Sequence, residues 1–171
     1  RVWSKEELAE LGVICLQNNI LIISDEIHSD LIFTGYRHLP LPKVSDQLAG
    51  NCVVCMAPSK TFNTAGLATS YVIIPDKEIR KKFDHFLHTL HLQSGNLFGN
   101  IALEAAYLYG MDWVNQQNEY LEANRDYLLK FCRDKMPKIK MSFTEATYLA
   151  WIDLREYGLS ESEMNRMLID R

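Results

Sequence analysis

Three short apolar runs, residues 20–23, 52–56 and 69–74, constrain this chain more than any other feature. Each is of strand length. The first is apolar at every position, where a half-exposed strand would alternate, so it predicts a strand covered on both faces. Helical patterns lie before and after these runs, and that alternation predicts an α/β fold. Residues 57–68 are too few to hold a crossover helix, and a parallel return needs about a dozen or more connecting residues. The runs at 52–56 and 69–74 are therefore expected to pair antiparallel.

Two of the runs end in polar tips. The first leads into Ser24-Asp25-Glu26-Ile27-His28, the second into Ala57-Pro58-Ser59-Lys60-Thr61-Phe62-Asn63. One tip offers a carboxylate and an imidazole, the other a hydroxyl and an amine. A solitary lysine reads as a solvated surface charge. At the end of a buried strand it loses hydration, its pKa falls, and it becomes a candidate amine nucleophile for a Schiff base.

The chain has 171 residues, 47% hydrophobic and 23% charged, which suffices for one sizeable core or two small ones. The formal charge of −4 comes without a basic cluster, which argues against a nucleic-acid partner. No apolar run approaches the ~20 residues of a membrane span. The sequence opens without Met and shows no secretory pattern, as a segment or a processed chain would. Four cysteines are too few for a disulfide scaffold of this size. Cys52 and Cys55 have CxxC spacing, but positions three apart on a strand face opposite ways and a second ligand pair is missing. They read as buried, reduced thiols, in keeping with a cytoplasmic protein.

Ser4-Lys5-Glu6-Glu7 is a capping-box pattern opening a helix that ends at Asn18-Asn19. A long loop at 29–42 precedes a short helix near 43–48. Helices are predicted from Asp76 to about Leu92, over 97–109 and over 112–136, the last stopped by Pro137. Short strands are expected near 139–143 and 148–153, and a capping box at Ser160 opens a final helix. His85, His88 and His91 recur at spacing three, which fans them over about 120° and suits a solvated or interface face better than a metal site.

The stretches SDEIHSDL and APSKTFNTAGL together resemble the cofactor-binding core of fold-type-I pyridoxal-phosphate (PLP) enzymes. They are most similar to the cystathionine β-lyase-like (C–S lyase) branch of the class I/II aminotransferases. The opening RVWSKEEL and the stretch EATYLAWID extend the likeness over nearly all of the chain. The resemblance implies the C-terminal part of a mixed, mostly parallel sheet in a PLP-binding large domain, residues 1–112. A long helix and the start of a small α+β domain would follow, residues 113–171. It maps Lys60 onto the Schiff-base lysine that also moves the Cα proton. Asp25 maps onto a buried carboxylate at the pyridine nitrogen, Ser59 onto a phosphate-contacting serine, and His28 onto a position close to the phenolic oxygen. Many aminotransferases carry Tyr where this chain has His28, and the histidine is what the C–S lyase branch shows.

Two positions depart from aspartate aminotransferase-like members. Ala57 stands where they place a serine, and Ala68 where they often place a phosphate-binding arginine. Asn96-Leu97-Phe98-Gly99 resembles a segment near the family's dimer interface. Arg155, Arg166 and Arg171 do not sit in the motif of the substrate-carboxylate arginine. The resemblance thus implies an internal segment of a longer, homodimeric, cytoplasmic enzyme acting on an amino-acid substrate. That enzyme would be a C–S β-lyase, an aminotransferase, or a non-catalytic regulatory domain of the same fold. The segment alone is expected to be inactive and to associate.

Overall fold

The computed structural model describes residues 1–170; Arg171 lies outside the described residues. Helix α1, Lys5–Gln17, starts at a complete capping box in which Ser4 and Glu7 satisfy each other's backbone N–H groups. It turns Leu8, Gly12 and Cys15 inward. After the left-handed residue Asn19 the chain enters β1, Ile22–Asp25. A turn of 3-10 helix, Leu41–Lys43, and the short α2, Asp46–Ala49, capped by Ser45, lead to β2, Cys52–Met56. Strand β3, Tyr71–Ile73, follows after a second 3-10 turn at Ala65–Leu67.

The sheet has the order β1-β2-β3. Strands β1 and β2 are parallel, in register from Ile22 opposite Cys52 to Asp25 opposite Cys55. Strand β3 runs antiparallel to β2, with Val54 opposite Ile73 and Met56 opposite Tyr71, as the short connection requires. Leu8, Leu41, Leu48, Cys52 and Val54 form the buried core on one face. Because β1 and β2 run the same way, both release their polar tips at one edge of the sheet.

The first strand begins two residues later than its apolar run suggests. Ile20 is spent closing α1, its N–H donating to the Cys15 carbonyl at 2.8 Å. The strand is also covered on one face only. Ile22 packs on the core, whereas Ile23 points away and is 70% exposed. Strand β3 is likewise shorter than the run at 69–74, and the single short helix expected near 43–48 is split in two by Val44 and Ser45.

Beyond the sheet come α3, Lys77–Thr89, α4, Leu97–Tyr109, α5, Met111–Lys135, and α6, Glu161–Ile169. Asp76, Asn96 and Ser160 cap α3, α4 and α6 with their side chains. The left-handed residue His91 follows the end of α3 and keeps that helix short of Leu92. The two late strands contract to β4, Lys140–Met141, and β5, Ile152–Asp153, paired antiparallel. Residues between them pair elsewhere. Ala146 bridges to Ile32, and Thr147 N–H donates to the Leu31 carbonyl at 2.7 Å. Helix α5 ties down the same loop. Asn118 donates to the Asp30 carbonyl at 3.0 Å, and the Arg125 guanidinium lies over the Phe33 ring, 4.9 Å from its centre.

Two glycines mark close approaches. A Cβ on Gly12 would meet the Leu48 side chain at 2.5 Å, while one on Gly99 would overlap Thr69 and reach the Leu67 carbonyl oxygen at 2.9 Å. A side chain can rotate; backbone yields less. Gly12→Ala should therefore cost about 1–2 kcal/mol, overpacking being offset in part by helix propensity, and Gly99→Ala about 3 kcal/mol. Urea unfolding of both variants checks the order, and equal losses would show that the backbone at Leu67 moves as readily as Leu48.

Candidate active site

Asp25 closes β1. Its Oδ1 accepts from the Ile27 N–H at 3.3 Å, and its side chain is exposed. Strand β1 is an outer strand of the three, and a cavity of about 370 Å³ bordered by Trp3, Asp25, His28 and Thr147 opens beside it. Glu26, not Asp25, is the buried acid. Its carboxylate accepts from His38 Nε2 at 2.6 Å, from the Leu41 N–H at 3.0 Å and from Ser24 Oγ at 3.0 Å. Burial alone would raise its pKa, but these donors outweigh burial and hold the acid below its ordinary value of 4.5. Glu26 thereby anchors the turn that carries His28.

Lys60 sits on the turn that follows β2. The buried pair Ala57 and Pro58 leads in, and the Phe62 N–H closes on the Pro58 carbonyl at 2.8 Å. Thr61, with no exposed surface, donates through Oγ1 to Asp30 Oδ2 at 2.9 Å. Trp113 Nε1 donates to the Thr61 carbonyl at 3.3 Å. The same Asp30 oxygen accepts from the Tyr107 hydroxyl at 3.4 Å, and burial, aided by Tyr71 and Asp30, pushes that phenol well above its ordinary pKa. The residue after Lys60 is thus clamped to the loop after β1. Ser59 is half-buried beside it.

The pKa of His28 is held below its ordinary value of 6.5. Burial is the first cause lowering its pKa, the Lys60 charge is the second, and the Asp25 charge opposes both. Both charged groups therefore act on one imidazole at the carboxyl edge of the parallel pair, where open α/β sheets bind ligands. On its other side His28 Nδ1 lies 2.9 Å from Thr147 Oγ1, and the Tyr148 ring meets it edge-on at 5.4 Å. A carboxylate, an imidazole, an amine and a hydroxyl suit an aromatic cofactor that carries an aldehyde, a ring nitrogen and a phosphate.

The sequence profile described as aminotransferase class I and II matches residues 1–171. The chain belongs to this family. Among its relatives, the cystathionine beta-lyase PatB of Bacillus subtilis is 42% identical over 171 residues, covering 100% of this chain and 44% of PatB. A PLP-bound protein from Clostridium difficile 630 superposes with a TM-score of 0.97 at 43% identity, over 100% of this chain and 44% of that one. Cystalysin from Treponema denticola, which contains PLP, gives a TM-score of 0.91 at 34% identity, over 99% of this chain and 43% of its own. The chain thus spans under half the length of these class I and II relatives.

Sequence reasoning picked out Asp25, His28, Ser59 and Lys60 but passed over Asp30, Thr61 and Thr147. The first two lie inside the quoted motifs, flanking His28 and Lys60, where a polar residue next to a site residue is a usable signal. Thr147 lies in EATYLAWID, and nothing local to that stretch points toward His28. The cysteines are all free, and Cys52 is fully buried while Cys55 is half-buried, with burial the first cause raising both thiol pKa values. His85, His88 and His91 are exposed.

The acid anchor gives a pH-dependent prediction. A carboxyl whose pKa is depressed by folding contributes stability above its unfolded pKa and loses it as pH falls through the folded one. Glu26→Gln should thus cost about 1–3 kcal/mol at pH 7. The penalty should shrink toward zero below about pH 4. Denaturant titrations at pH 7 and pH 3 measure it, and a loss that does not change with pH would remove the charge from the explanation.

Proposed function

We propose that this chain carries the lysine-bearing part of the active site of a PLP-dependent C–S β-lyase, acting on cystathionine or a related cysteine derivative. The observation that carries the reading is that the in-register parallel pairing of β1 with β2 releases the Asp25–His28 and Ser59–Lys60 turns at one sheet edge. The name borne by PatB, cystathionine beta-lyase, supports the lyase branch over the rest of the family.

The side chains present fit PLP by type. Lys60 would hold its aldehyde carbon, Asp25 its pyridine nitrogen, Ser59 its phosphate, and His28 would lie near its phenolic oxygen. When bound, PLP supplies an electron-poor ring that accepts the charge left on an amino-acid Cα after deprotonation. The Asp25 carboxylate would keep a proton at the ring nitrogen. Lys60 Nζ, once displaced by the substrate amine, would take the Cα proton. A substrate with sulfur at Cβ would then release thiol, and hydrolysis of the remaining three-carbon enamine by water would give pyruvate and ammonia. His28, kept neutral by burial and by the Lys60 charge, places an uncharged ring beside these groups.

Among the described residues no helix is long and apolar enough to cross a membrane. We place the enzyme in the cytoplasm, in keeping with its four free cysteines. We read it as a homodimer, because Leu97 and Phe98, in the segment that resembles the family's subunit interface, are 69% and 74% exposed.

The test uses the protein expressed with the sequence that flanks this chain in its reading frame. Wild type should release pyruvate from cystathionine and acquire a visible absorbance band with PLP that borohydride fixes covalently to Lys60. Lys60→Ala should lose the band, and its turnover should fall by about 10³-fold or more. Borohydride labelling of another lysine in that variant would overturn the assignment. Keto-acid-dependent amino transfer without pyruvate would identify the aminotransferase reading instead, and PLP binding with neither reaction would identify a regulatory domain.

A further inference from the structure

Thr147 is a β-branched residue with φ +65°. That region favours glycine and asparagine and is sterically costly for a branched side chain. Its neighbours determine the conformation. The Phe33 N–H donates to the Glu145 carbonyl at 3.1 Å, Ala146 bridges to Ile32, and the Thr147 N–H donates to the carbonyl of the fully buried Leu31 at 2.7 Å. A segment remote in sequence is thus zipped onto the chain just after His28. The strained backbone places Thr147 Oγ1 2.9 Å from His28 Nδ1. Glycine would take the same backbone with less strain but would offer no hydroxyl. Ala146 is buried and Thr147 half-buried, so the contact sits in packed structure and not at a mobile tip.

We propose that Thr147 is a positioning residue for His28: its hydroxyl, delivered by the strained backbone, holds the plane of the imidazole through Nδ1. The edge of Tyr148 blocks rotation of the ring from a second direction. The wider inference, that this orientation matters for turnover, rests on the C–S lyase reading. The statement about the ring does not.

The experiment compares Thr147→Val, Thr147→Ser and Thr147→Gly in the protein expressed with its flanking sequence. Nitrogen-15 NMR relaxation of the His28 ring, recorded without PLP, reports directly how freely the ring reorients. Wild type and Thr147→Ser should show a held ring; Thr147→Val and Thr147→Gly should show a ring that reorients more freely. Kinetic assays on cystathionine should give a fall in kcat of about tenfold for Val and Gly, with Ser within about twofold of wild type. Thr147→Gly guards against misfolding, because it removes the hydroxyl while relieving the backbone. A ring held as firmly in both Val and Gly as in wild type would overturn the proposal. If wild type neither binds PLP nor turns over substrate, the lyase reading fails while the ring measurement still decides the role of Thr147.

Discussion

The parallel pairing of β1 with β2 is the constraint on which the rest depends. In-register pairing from Ile22 with Cys52 to Asp25 with Cys55 sends both chains out of the sheet at the same edge. A carboxylate and a lysine 35 positions apart in sequence then share one neighbourhood without either strand bending. Antiparallel pairing would have put the two tips at opposite edges. The reversed β3 does not disturb this, because it joins on the far side of β2 and leaves the β1–β2 edge intact. Burial of Cys52 and Val54 beneath α1 and the Leu41 and Leu48 side chains holds the pair together.

Polar contacts then convert a shared edge into a defined arrangement. Glu26 fixes the turn after β1 from inside, using His38 and the Leu41 N–H. Asp30 fixes the residue after Lys60 through Thr61. Helix α5 adds Asn118 to the Asp30 carbonyl and Trp113 to the Thr61 carbonyl. Most of these bonds use charged or backbone partners in half-buried surroundings, where leaving one end unpaired costs more than making the bond gains. The chain therefore carries its candidate site on a cross-braced pair of turns, a more rigid support than free loops would give.

Much of this was legible in the sequence where the signal is local. Capping boxes at Ser4 and Ser160 marked helix starts because a hydroxyl and a glutamate three residues later satisfy each other wherever they occur. The antiparallel β2–β3 pair followed from the shortness of the connection. Boundaries failed where tertiary packing decides them. Ile20 and Leu21 look like strand residues, yet they are used in leaving α1. Residues 148–153 look like one strand, yet only Ile152 and Asp153 are strand, and the residues just before, 145–147, pair with 31–33. Lys60, Asp25 and His28 could be singled out because strand ends and residue types are written locally. The Thr147 contact could not, because it spans 119 positions of sequence and depends on a left-handed backbone that threonine itself disfavours.

That sequence separation has a consequence for how the site comes into being. Both strand tips are close together in the chain, while their brace at Thr147 emerges from the ribosome much later. At the ~5–20 residues per second of synthesis, the delay between Lys60 and Thr147 is on the order of ten seconds. Helices and the short parallel pair can form within that interval, since elementary folding events take microseconds to milliseconds. The nascent chain thus displays an amine and a carboxylate on a half-built support, with His28 still free to rotate. Only when residues 145–148 zip onto 31–33 does the ring settle, so the geometry of the site is the last thing this stretch of polypeptide acquires.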